Sequence, residues 1–280
     1  MITTNEYGTD VPVVIQKGSI IGIRFHPGKS GAPDWKYLKS PSKEASDMNI
    51  IPAIDIIDGK NVRLKQGDYD QKTAMKRTPE EAIRFYSGFR QVGRIHIVDL
   101  MGALKQNAQE STVIEELKSQ TNLPLQIGGG LRNMGTIRQY DEIGIDYFIL
   151  GTKAILDTDW LKKAVREFPG RIFVGTDARE NDIYVNGWTE NSNITIDEYI
   201  NEIESLDIAG IIYTDINKDG MNQGPNFENT RRINKLTRHK VIASGGVRNK
   251  EDLDRLESLG IGDAIVGKAS HNDSFWRDIK

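Results

Sequence analysis

Residues 129–151 and 245–267 of this 280-residue chain are two versions of one segment. GGLRNMGTIRQYDEIGIDYFILG lies on GGVRNKEDLDRLESLGIGDAIVG at a constant offset, 245 − 129 = 116. Identities fall at Gly129/Gly245, Gly130/Gly246, Arg132/Arg248, Asn133/Asn249, Gly144/Gly260, Ile145/Ile261, Ile149/Ile265 and Gly151/Gly267. Asp99 and Asp215 match at the same offset. Ordinary strand–helix units that resembled one another by accident would not keep four glycines in register. The chain therefore reads as two halves of one design, and whatever one half builds the other is expected to build again across a pseudo-twofold axis.

Short apolar runs alternate with longer amphipathic ones from Met48 onward. The expected strands are Ile50–Ile56, Arg94–Leu100, Leu125–Gly128, Tyr147–Leu150, Ile172–Asp177, Ala209–Asp215, Val241–Ser244 and Ala264–Val266. Segments with helical spacing fall between them, at Pro79–Val92, Ser111–Ser119, Met134–Ile143, Asp159–Phe168, Ile196–Leu206, Phe227–Leu236, Lys250–Leu259 and Ser274–Ile279. Thr78, Pro79 and Glu81 have the order of a capping box with a proline start. Gly144 and Gly260 stand where helix ends take a left-handed residue. Eight strands alternating with helices predict a (β/α)8 barrel of two (βα)4 halves, with an open doubly wound sheet as the rival; the repeat favours the barrel.

In that fold the functional rim is the C-terminal end of the strands. Gly129 and Gly130 end strand 3, and Gly151 and Thr152 end strand 4. Gly245, Gly246, Gly267 and Lys268 are their counterparts after strands 7 and 8. Lacking a Cβ, such positions let backbone amides approach a ligand, and helix starts there favour an anion. The bland alternative is that these glycines only form tight strand-to-helix turns. Two devices in register favour phosphate, and two opposed sites imply an elongated ligand phosphorylated at both ends. Between them, Asp55 ends strand 1 and Asp177 ends strand 5, across the barrel from each other. They are candidates for an acid and a base acting on opposite sides of one sugar carbon; the alternative is a pair of Asx-turn caps. Thr214 and Asp219 in YTDINKDG offer a hydroxyl or a further carboxyl near that carbon. Asp215 is equally a turn former. Arg132 and Arg248 either contact the ligand or pair with surface acids. Trp188 either stacks on a planar ring or fills a core. His96, His239 and His271 show no metal-ligand spacing with acids, and no metal site is inferred.

Composition narrows the classes further. The chain has no cysteine, so thiolate metal sites, disulfides and a cysteine nucleophile are excluded. A net charge of −3 argues against bulk affinity for nucleic acid or anionic membranes. No apolar run approaches membrane-spanning length and the first residues carry no secretory pattern, so a cytoplasmic protein without membrane or nucleic-acid partners, its barrel a monomer, is expected.

Residues 1–47 differ in character. Val11–Gln16 and Ile20–Phe25 read as a hairpin around Lys17-Gly18-Ser19, followed by a Pro-, Gly-, Ser- and Lys-rich linker. The expected organisation is a non-catalytic extension, 1–47, and a catalytic barrel, 48–280. The polar stretches Lys65–Thr73 and Arg179–Trp188, with Gly67 and Gly187, are candidate closing loops.

IIPAIDIIDGKNVRLKQGDY, RIHIVDLMGA, IGGGLR, ILGT, YTDINKDGMNQGPN, IASGGVR and IVGKA resemble the HisA family, the phosphoribosylformimino-aminoimidazole carboxamide ribotide isomerases of histidine biosynthesis. The resemblance implies a bisphosphorylated substrate, no cofactor, and an Amadori rearrangement of an aminoaldose to an aminoketose. It implies Asp55 as proton acceptor and Asp177 as donor, with Thr214 and Asp219 at functional positions and the acid role open between Asp177 and Asp219. Gly224 and Ser244, within MNQGPN and IASGGVR, join the candidate binding residues. The sister cyclase family HisF usually carries a cysteine before the strand-1 aspartate and then a lysine-bearing VVKG run. Ala53 and VRLKQG stand here instead. A dual isomerase that also takes phosphoribosylanthranilate is the enzymatic rival, and a barrel carrying an N-terminal partner-binding module the non-enzymatic one. GIRFHPGKSG is similar to the GxQFHPEKS tail of class I glutamine amidotransferases such as HisH. His26 matches the triad histidine, Gly28 and Arg24 replace its glutamate and glutamine, and a chain without cysteine has no glutaminase chemistry.

Overall fold

A computed structural model describes residues 2–4, 12–17, 20–23, 48–65 and 68–279. The chain divides into two units, Met1–Ala45 and Ser46–Lys280. In the first, Ile2–Thr4 pairs antiparallel with Pro12–Lys17, and Pro12–Lys17 with Ile20–Ile23. The two strands of the expected hairpin are thus joined by a third that the sequence pattern had not marked. Arg24, His26 and Gly28 of the amidotransferase-like stretch, the Gly18-Ser19 turn, the linker and Gly67 lie outside the described residues.

The second unit is a closed barrel. Its strands are β1 Asn49–Ile57, β2 Ile95–Asp99, β3 Leu125–Gly128, β4 Tyr147–Leu150, β5 Ile172–Arg179, β6 Gly210–Asp215, β7 Val241–Ser244 and β8 Asp263–Val266. Each pairs parallel with the next, and β8 returns to β1 through Ala264↔Ile50 and Ile265↔Ile51. The main helices are α1 Pro79–Tyr86, α2 Ser111–Ser119, α3 Met134–Glu142, α4 Thr158–Glu167, α5 Ile196–Ile203, α6 Phe227–Leu236, α7 Lys250–Ser258 and α8 Asp273–Ile279. The Thr78/Glu81 capping box is formed. Gly144 (φ +90°) and Gly260 (φ +83°) take the left-handed conformation after α3 and α7. There Ile145 N–H reaches back to Tyr140 O and Ile261 N–H to Leu256 O, closing otherwise orphaned carbonyls. Helix α1 ends at Tyr86 rather than Val92: after Ser87 the N–H groups of Gly88 and Phe89 bond three residues back, to Phe85 O and Tyr86 O at 3.2 Å, and the α-helical ladder stops.

The period of two along a strand decides what faces where. Ile50, Ile54 and Ile56 of β1 point to the helices and join the large outer core with Ile83, Tyr86 and Trp276. Ile51 and Ala53 point inward, into a second core with Phe173, Ile212, Ile242 and Ile265. The same alternation carries the inward row upward from Phe173 to Asp177, from Ile212 to Thr214 and from Ile242 to Ser244. The apolar barrel centre and the polar rim are therefore successive layers of one set of side chains. At the opposite end, Arg94 lies over the rings of Tyr147 (5.2 Å) and Phe173 (4.7 Å) and closes the floor.

Two excursions leave the ring. After β1, Lys60–Lys65 folds back antiparallel on β1 and pairs with Asp68–Ala74. After β5, Asp182–Val185 pairs with the end of β5 and with Glu190–Thr195. Both stretches expected as polar loops are thus largely antiparallel ribbon.

Candidate active site

A cavity of about 310 Å³ opens at the C-terminal ends of the strands. Asp55, Asp177, Thr214, Asp219, Gly129, Gly130, Arg132, Gly151, Thr152, Trp188, Ser244, Gly245, Gly246, Gly267 and Lys268 all line it. Gly224 does not. It sits behind the second glycine pair, its N–H donating to Gly246 O at 3.0 Å, with the Arg248 guanidinium across the face where a Cβ would stand. Arg248 is spent on Asp252, donating to it from Nε at 2.8 Å and Nη2 at 2.7 Å. For this arginine the ion-pair alternative is the observed one.

The two glycine pairs occupy equivalent positions and meet equivalent neighbours. All four have positive φ: Gly129 +98°, Gly130 +73°, Gly245 +86° and Gly246 +88°. A Cβ on Gly129 would lie 2.1 Å from Asp99 O, and one on Gly245 3.0 Å from Asp215 O. Asp99 and Asp215 are the matched aspartates of the repeat, and both are consumed in building loops. Asp99 accepts from the N–H groups of Gly102 (2.5 Å), Gln109 (2.7 Å) and Glu110 (3.1 Å). Asp215 accepts from Asn217 N–H at 2.9 Å and Asn226 Nδ2 at 2.7 Å. The tight-turn explanation therefore applies to these glycines in full. Gly151 differs: its φ is −106° and nothing lies within 4 Å of its missing Cβ. Its bareness keeps the cavity open. At Gly267 the space is taken by the Arg63 guanidinium, 2.9 Å from an added Cβ.

Arg63 is the residue sequence reasoning missed. It sits on the first excursion, where Val62 opposite Asp55 fixes the register. Val62 and Leu64 pack into a small apolar cluster, which turns Arg63 to the other face. There it donates from Nη1 to Asp55 Oδ2 at 2.8 Å and from Nη2 to both oxygens of Asp219 at 2.9 Å. One guanidinium thus bridges carboxylates that arrive from β1 and from the loop after β6. The alternation Val62-Arg63-Leu64 was the available signal. Its meaning depended on knowing that the segment folds back on β1.

Asp177 is held differently. It accepts from Trp188 Nε1 at 2.9 Å and is hydrogen-bonded by Thr214, its partner in the β5–β6 register. Trp188 thus uses its polar edge on the carboxylate. Burial pushes the Asp177 carboxyl above its ordinary range; the Trp188 and Thr214 bonds pull it down and Asp219 adds upward pressure. Burial also pushes Asp55 up, with the Arg63 charge opposing and Asp219 assisting. Below them His96, hydrogen-bonded to Gln126 at 3.0 Å, is pushed down to about 3 by burial and by Arg63 and Arg94, so it is neutral at physiological pH.

A closed parallel barrel whose C-terminal rim gathers buried carboxylates, a bridging arginine and a doubled set of glycine turns has the construction of a barrel enzyme. The particular family follows from comparison. The family model of histidine biosynthesis proteins matches residues 49–275, from the first residue of β1 into α8, and the chain belongs to that family. Its members, of the HisA and HisF kind, are enzymes of histidine biosynthesis. No described helix is long and apolar enough to cross a membrane.

Proposed function

We propose that the barrel is the HisA-type isomerase, acting on N-(5-phosphoribosylformimino)-5-aminoimidazole-4-carboxamide ribonucleotide. The glycine turns at β3–β4 and β7–β8 receive its two phosphates, and the ribose between them lies among Asp55, Asp177 and Asp219. The supporting observation is the unequal company of the two opposed carboxylates. Burial pushes both up, but Asp55 also faces a permanent cation, which favours the ionised form of a base. Asp177 has only neutral donors, and burial favours its protonated form, as an acid needs.

In this reading Asp177 gives its proton to the ring oxygen, the C1–O bond breaks, and the nitrogen lone pair closes a Schiff base. Asp55 then takes the proton from C2. The electrons pass to C1=C2 and the iminium is neutralised, leaving an enolamine. Protonation at C1 and loss of the O2 proton yield the aminoketose. Arg63 orients Asp55 and Asp219 and transfers no proton, since a guanidinium does not titrate in the working range. The HisF-like reading would want a lysine-bearing run here and the chain supplies an arginine, which favours isomerisation over cyclisation.

Asp55→Asn tests the assignment. Turnover of the aminoaldose is expected to fall at least about 10³-fold while substrate binding by calorimetry stays within a few-fold. Retained turnover overturns the base assignment. Wild-type protein offered this substrate and phosphoribosylanthranilate separately is expected to convert the first only.

A further inference from the structure

Asn186, which does not itself line the cavity, joins two parts of the site that the mechanism treats separately. Its Oδ1 accepts from Arg132 Nη2 at 3.0 Å, and its backbone N–H donates to Thr152 Oγ1 at 3.0 Å. Its Nδ2 donates to Glu190 Oε2 at 2.7 Å. Both polar side chains of the β3–β4 cradle, arriving from different strands, therefore converge on one residue of the excursion after β5. From Asn186 the chain runs directly to Trp188, through φ values of +52°, +66° and +71° at Asn186, Gly187 and Trp188. A left-handed run that includes a tryptophan persists only when contacts at its ends hold it. Those contacts are the cradle at one end and the 2.9 Å Trp188 Nε1–Asp177 bond at the other.

We propose that Asn186 is a positioning residue that couples anion occupancy of the Gly129–Gly130–Gly151 cradle to the placement of Asp177 through Trp188. The Thr152 hydroxyl accepts from Asn186, which leaves its own O–H to donate into the cavity, and Arg132 keeps four further N–H groups for an anion. An anion on these donors polarises the bonds that hold Asn186. Binding and the left-handed run favour each other, and the coupling is reciprocal. The link is one-sided. In the other half Arg248 is bound to Asp252, and among the described residues Lys268 reaches only Gly220 O at 3.4 Å. The inference rests on the reading of Asp177 as the acid, and the test separates the two.

Inorganic phosphate is titrated into the full-length protein while indole emission is followed, with Trp188→Phe subtracted to isolate Trp188. Wild type is expected to show a saturable Trp188 response. Asn186→Gly keeps the left-handed backbone and removes the side chain; it is expected to lose most of that response and to lower kcat about tenfold with KM changed less. Asn186→Asp retains the acceptor for Arg132 but loses the donor to the exposed Glu190; it is expected to restore part of the response, with a several-fold higher phosphate midpoint because a carboxylate competes for the guanidinium. No Trp188 response in wild type, or a full response and full kcat in Asn186→Gly, overturns the coupling. Asp177→Asn that still turns over while the Trp188 response persists removes the acid assignment and leaves the coupling standing.

Discussion

Asp177 shows what burial does to a single carboxyl at this rim. Its folded value is raised by burial, so ionisation costs more in the native state than in the unfolded chain. The sign follows: its contribution is intact below the unfolded value of 3.8 and is lost as pH rises through the folded value. Asn cannot ionise, and its carbonyl still accepts from Trp188 while its amide donates to Thr214. Asp177→Asn is therefore expected to melt at a higher temperature than wild type at pH 8, the gap closing as the pH falls toward 4 in a series of thermal melts. A wild type that melts higher at pH 8 would contradict burial as the dominant influence. The carboxylate's place at the rim was legible from counting two by two along FVGTD. The indole N–H that holds it was not, because that contact needs three left-handed residues in a turn whose sequence shows only one glycine.

The glycine turns belong to the scale of elements, where one motif serves two physical ends. Gly129 is bare because the β2 strand end presses on it; Gly151 is bare with nothing of the protein near. Gly129→Ala puts a Cβ against Asp99 O at a φ of +98°, and is expected to destabilise the fold by about 2–4 kcal/mol in urea titrations. Gly151→Ala meets no such contact and is expected to cost less stability than Gly129→Ala in the same titrations. It should nevertheless weaken phosphate and substrate binding roughly tenfold, since the methyl enters the space where the anion would sit. An unweakened Gly151→Ala would return that position to the tight-turn explanation. The repeat in the sequence located both pairs of glycine turns. It did not separate the two reasons for glycine, since packing of a neighbouring strand end leaves no mark in the local pattern. The antiparallel ribbons after β1 and β5 were missed for a related cause: KNVRLK and ENSNIT are too polar to look like strands, and only pairing with β1 and with Asp182–Val185 makes them so.

For the whole barrel the decisive event is closure of β8 on β1, and a polar cluster at the floor secures it. Asp263 on β8 takes Asn49 Nδ2 from β1 at 2.7 Å, Arg94 Nη2 from the start of β2 at 3.0 Å and Lys240 Nζ from beside β7 at 3.0 Å. Among the described residues Arg94 Nε has no hydrogen-bond partner, so Arg94 already depends on Asp263. Asp263→Ala strands a buried guanidinium and is expected to cost about 3–5 kcal/mol in urea unfolding. The rim is formed by the far ends of the strands, so kcat of the folded protein at 25 °C should be unchanged. Loss of kcat without loss of stability would show that the floor and the rim are not independent.

What the chain's own order of residues determined is the repeat, the eight apolar runs, the inward row that ends in Asp55, Asp177, Thr214 and Ser244, and the paired glycine turns. Each is a local matter of periodicity or of backbone freedom, which one sequence displays. Tertiary structure alone decided the partners: Arg63 between Asp55 and Asp219, Trp188 on Asp177, and Asn186 on Arg132 and Thr152. These are contacts between side chains distant in sequence or displayed on folded-back ribbons, and their distances exist only once β8 has met β1 and the excursions have found their register.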